Sequence, residues 1–123
     1  MRLISLVLLF IVTVSSLASA AYNKEEIRAL IREKNFAEVE KYLDELLTSE
    51  EPREIYDKYS SVIVTLEQQC ELEKALEFVE KYVDRYPNYE GDDYFYKERG
   101  GLLFDLNRYH EAIEVLENFV LSF

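Results

Sequence analysis

Apolar side chains recur at intervals of three and four from Asn23 onward. Phe36, Val39, Leu43 and Leu46 fall on one stripe. Leu72, Ala75, Val79 and Tyr82 repeat it 36 residues later, and Tyr109, Ala112, Leu116 and Phe119 repeat it again after another 37. Residues three and four apart share a helix face, so each stripe predicts an amphipathic helix. Upstream of each lies another such segment, marked by Ile27, Leu30 and Ile31, then by Ile55, Tyr59, Val62, Ile63 and Leu66, then by Tyr96, Leu103 and Leu106. Six helices in three pairs follow, over residues 22–51, 52–88 and 92–123. Local chemistry agrees with these bounds. Asn23 with Glu26 reads as a capping box, Pro52 suits a first helical turn, Pro87 to Gly91 ends the fourth helix, and Asp92 caps the fifth.

A single helical hairpin is too thin to bury its apolar stripe and is stabilised by stacking on the next. The predicted architecture is therefore all-α, a right-handed stack of about three antiparallel helix-turn-helix repeats, a fragment of an α-solenoid. Three glycines, two prolines, no tryptophan and 49% apolar residues fit a helical domain with a core. Phe119, Val120, Leu121 and Phe123 make the last helix apolar near its end. A second copy of the chain, in a homodimer through the C-terminal helix, or another partner is expected to cover that flank.

The first twenty residues break the pattern. Met1-Arg2 precedes twelve residues from Leu3 to Val14 with no polar face, then the small run from Ser15 to Ala21. This is the layout of a secretory signal peptide cut near Ala20, which predicts a mature domain over 21–123 that is secreted or periplasmic. A span of about 20 apolar residues would be reached only by including five hydroxyl residues. Membrane association is expected only if the segment is retained.

The acidic balance changes the picture of partners. Asp and Glu outnumber Lys and Arg 25 to 14, for a formal charge of −11. Such a polyanion disfavours nucleic acid and anionic lipid. It suits solubility or a basic partner. Candidate chemistry is sparse. His110, the one histidine, is placed on the polar side of the last helix with no nucleophile or orienting carboxylate assigned to it. Cys70 falls in the turn between the third and fourth helices, as an inert thiol or an intermolecular disulfide. Glu90-Gly91-Asp92-Asp93 lacks the ligand spacing of a calcium loop, and no metal or cofactor is expected. Tyr89 and Tyr94 lie off the stripes and read as exposed contact residues.

The repeat resembles the tetratricopeptide family, built on helix pairs of about 34 residues. Gly100 stands at that family's small eighth position, Leu103 at the eleventh, Tyr109 at the seventeenth and Ala112 at the twentieth. Tyr59, Leu66, Ala75 and Pro87 carry the second unit. Val39, Ile63 and Arg99 depart from the pattern, and another family of helical hairpins fits the same periodicity. The resemblance implies a concave groove lined by the first helices. Its positions here are Lys24, Arg28, Ile31 and Arg32; Asp57, Ser60, Val64, Glu67 and Gln68; and Tyr94, Lys97, Gly101, Phe104 and Asp105. Lys24, Arg28 and Arg32, four residues apart, can clamp an acidic or carboxylate group, although the family's clamp asparagines are missing.

The expected function is a non-catalytic, exported scaffold or adaptor that binds a protein or peptide in this groove. Alternatives are a membrane-anchored assembly subunit of an envelope complex and a small acidic protein of inhibitory or immunity type.

Overall fold

The computed structural model describes residues 22–49 and 52–122. The expected signal segment and its expected cut lie outside them. Six helices follow in order: α1 (Lys24–Arg32), α2 (Phe36–Ser49), α3 (Pro52–Gln68), α4 (Leu72–Arg85), α5 (Asp93–Asp105) and α6 (Tyr109–Leu121). Among the described residues there is no strand, and consecutive helices pack together throughout. The fold is an all-α stack of helical hairpins.

The three hairpin turns are built identically. Lys34, Cys70 and Asn107 each take a left-handed backbone, with φ of 60°, 60° and 63°. In each turn the next residue donates its N–H back to a carbonyl five residues earlier: Asn35 to Leu30, Glu71 to Leu66 and Arg108 to Leu103, all at 2.8 Å. Lys34 to Ile31, Cys70 to Glu67 and Asn107 to Phe104 close the inner bond. This double closure satisfies carbonyls that a helix end would otherwise leave open. Glycine is the usual residue there, and none of the three turns has one. At the N-terminal ends, Asn23 and Glu26 form the reciprocal capping box, and the Asp92 side chain accepts from the Tyr94 N–H at 2.9 Å.

The stripes fill one continuous core. Ile27 and Ile31 of α1 meet Val39, Leu43 and Leu46 of α2 and Ile55, Tyr59, Ile63 and Leu66 of α3, and Ala75, Phe78, Val79 and Tyr82 extend it through α4. Val39 and Ile63, large where the repeat pattern has small residues, are fully buried. Across the packed pair, Lys81 of α4 reaches Asp44 of α2 at 3.1 Å, and Lys34 pairs with Glu71 between neighbouring turns.

The third hairpin joins the others through aromatic rings. Phe95 stacks on Tyr82 with centroids 3.9 Å apart, and Tyr59 stands edge-on to Phe95 at 5.3 Å. The Tyr59 hydroxyl donates to the Phe78 carbonyl, and the Tyr96 hydroxyl donates to the Tyr86 carbonyl. The Tyr82 hydroxyl accepts from the Asp92 N–H at 2.8 Å, which ties the linker to the core. Gly91 is required at this linker, because a Cβ there would lie 2.6 Å from the Tyr82 hydroxyl oxygen. Gly100 lets α6 approach α5, since its Cβ would lie 2.3 Å from a Leu116 methyl carbon.

Two outcomes test this construction. Phe95→Ala removes the ring shared by the second and third hairpins and is expected to cost about 3–5 kcal/mol, with α5 and α6 losing amide-exchange protection before α1 to α4. Cys70→Gly relieves a left-handed side-chain conformation and is expected to add about 1 kcal/mol in urea unfolding.

Candidate partner-binding groove

Six of the fourteen expected groove residues are brought together between α1 and α3. Lys24 and Arg28 of α1 face Asp57, Ser60, Ser61, Val64, Thr65 and Gln68 of α3 across an open depression of about 550 Å³. Gln69 fixes the two helices at one end by donating from Nε2 to the Arg28 carbonyl at 3.1 Å. The Arg28 guanidinium meets Glu25 at 2.7 Å. An exposed pair of this kind contributes little, so Arg28 can exchange Glu25 for an incoming anion. Val64, 42% exposed, gives the depression an apolar patch. Ser60 and Thr65 turn their hydroxyls back to the carbonyls of Asp57 and Ser61, at 3.4 and 2.7 Å. An adjoining recess of about 320 Å³ is lined by Tyr22, Ile27, Tyr42 and Val62 among others.

The remaining expected residues lie elsewhere. Arg32 is exposed but does not line the depression, because each four-residue step drifts about 40° around the helix and leaves Arg32 about 80° round from Lys24. Ile31, counted toward the groove by the repeat resemblance, is instead wholly in the core. Lys97 and Phe104 are exposed on the outer side of α5, with Lys97 Nζ 5.8 Å from the Phe119 ring centre. Tyr94 is half-buried, edge-on to Tyr56 at 5.7 Å and to Phe95 at 5.0 Å. Tyr89 packs on Tyr96 at 4.8 Å. Both tyrosines belong mainly to the aromatic junction, which corrects their reading as exposed contact residues.

Glu67 and Tyr94 share a second site with Glu98, a residue that the repeat pattern did not single out. Burial pushes the Glu67 carboxyl up to about 8, and the neighbouring Glu98 and Asp105 add to the effect. Glu67 Oε1 is sealed from solvent without a hydrogen-bond partner. Burial also raises the Tyr94 hydroxyl, with Glu98 and Glu67 contributing. The signal for Glu98 was weak: it lies one helical turn past Tyr94, but only the α3/α5 packing puts it beside Glu67.

No family model, curated protein or solved structure matches the chain. The function rests on the site itself. Cys70 is exposed in its turn and His110 is exposed on α6. Among the described residues no group of three His, Cys, Asp or Glu side chains is placed to hold a metal ion. The Glu90 to Asp93 segment borders a separate depression of about 390 Å³ with Pro52.

The acid pair gives a pH signature. Glu67 holds its proton to about pH 8 in the folded chain and to about 4.5 in its ordinary state, so between these values only unfolding releases a proton. Stability contributed by the protonated group is present below about 4.5 and falls as pH rises toward 8. Glu67→Gln is expected to match the parent near pH 4 and to be more stable by about 1–2 kcal/mol at pH 8, after discounting for the solvent reaching this group. Chemical denaturation at the two pH values measures the difference.

Proposed function

We propose that the chain is an exported, non-catalytic adaptor of tetratricopeptide type that holds a segment of another polypeptide in the depression between α1 and α3. The observation that carries this reading is the convergence of Lys24, Arg28, Asp57, Ser60 and Gln68 from two helices around one open, mixed-charge hollow. Separated cationic and anionic groups fix the direction of an extended peptide, while Val64 offers an apolar contact. Lys24 and Arg28 suit a carboxylate, from a side chain or a chain terminus, and Asp57 suits a cationic or amide group two or three residues along it. The identical turns support the assignment to a repeat family, and Gly100 under Leu116 supports the small-residue position on which the resemblance rests.

A photocrosslinking side chain in place of Ser60 tests the reading in exported material whose intact mass begins near Ala21. One dominant protein adduct is expected. Lys24→Glu with Arg28→Glu should abolish it without changing the thermal midpoint, whereas Arg32→Glu, outside the depression, should leave it intact. An adduct that survives the double charge reversal would sink the groove assignment.

A further inference from the structure

The α6 helix is the least buried of the stack. Only Ala112 of its thirteen residues is fully buried, and its substantial packing is against α5 alone. Tyr109, Ile113, Leu116 and Val120 follow one another at steps of four, three and four, which aligns them on one face. Leu116 is partly covered over Gly100, but Tyr109, Ile113 and Val120 are 48%, 55% and 68% exposed. The face continues onto α5, where Phe104 is 59% exposed with its ring 5.2 Å from that of Tyr109. One turn before Phe104, Gly101 has nothing within 4 Å of where a Cβ would stand. Glycine weakens a helix interior, and nothing among the described residues requires it there. An apolar surface shared by two adjacent helices and lowered by a glycine suits the close approach of a third helix.

Charge decides which helix. Glu114 and Glu117 lie beside the stripe on α6 and Asp105 follows Phe104 on α5, and these acids outnumber the cations there, Lys97 and Arg108, of which Arg108 is already paired with Glu111 at 2.7 Å. A second α6 would set Glu114 and Glu117 of each copy at one interface. Of the described helices only α1 has more cations than carboxylates, and its Ile27 and Ile31 are already in the core. No described helix of the chain therefore offers an exposed apolar stripe with a basic rim. We propose that the outer face of the α5/α6 hairpin is a second docking surface, which takes an amphipathic helix of a separate polypeptide with lysine or arginine flanking its apolar stripe. This surface is distinct from the α1/α3 depression and does not depend on it.

The probe is a synthetic helical peptide with leucines at helical spacing and lysines elsewhere, titrated against the full chain by fluorescence anisotropy. A counterpart with glutamates replacing the lysines is run alongside. Binding of the lysine peptide is expected to weaken at least about tenfold in Ile113→Ser/Val120→Ser, which leaves the charge unchanged and removes no core residue. Gly101→Leu should weaken it similarly while raising the thermal midpoint, so lost binding cannot be ascribed to misfolding. Lys24→Glu/Arg28→Glu should leave this binding no weaker. Equal binding to parent and serine variant, equal binding of the two peptides, or a self-associating parent that Ile113→Ser/Val120→Ser makes monomeric in sedimentation would each overturn the proposal. The last result would assign the face to a second copy.

Discussion

The stack depends on one aromatic contact. Phe95 lies against Tyr82 at 3.9 Å with Tyr59 edge-on to it, so rings from α3, α4 and α5 meet at a single point. The first two hairpins share long lines of aliphatic contact through α1, α2, α3 and α4. The third has no comparable line with α3, and large planar side chains span the wider separation instead. Edge-to-face and offset rings add a directional preference to burial, so this junction sets an orientation as well as an affinity. Hydrogen bonds from Tyr59 to Phe78, from Tyr96 to Tyr86 and from Asp92 to Tyr82 lock the same cluster to backbone.

That junction also determines the electrostatics of the upper groove. With α5 held against α3, Glu98 comes beside Glu67, and enclosed carboxyls at short range favour the protonated form. The α1/α3 depression differs in character: its charges are exposed, and the Ser60 and Thr65 hydroxyls are occupied by their own helix. The inner surface thus divides into an open, mixed-charge half and a half-buried acidic half.

Much of the fold was legible in the chain. The spacing of Phe36, Leu72 and Tyr109 located the second helices, and Cys70 marked a turn whose left-handed geometry Lys34 and Asn107 repeat. Asn23, Pro52 and Asp92 marked helix starts through local hydrogen-bonding chemistry, which needs no distant partner. Phe95 was absent from the expected core, because one aromatic residue beside a cap carries no periodic signal. Tyr89 and Tyr94 looked available for contact for the same reason: their burial comes from rings on other helices.

Periodicity and capping act within a few residues, so the sequence by itself determined the number of helices, their pairing into hairpins and the buried side of each through α4. The candidate site was legible only in part, since helical positions say which residues face roughly one way and not which of them meet. Tertiary structure alone brought Lys24 and Arg28 to Asp57, Ser60 and Gln68, left Arg32 outside, moved Ile31 into the core and placed Glu98 against Glu67. It likewise decided that the apolar residues of α6 stay uncovered. The physical reason is that a side chain's environment is set by the helix packed across from it, and that packing is a contact between residues distant in sequence.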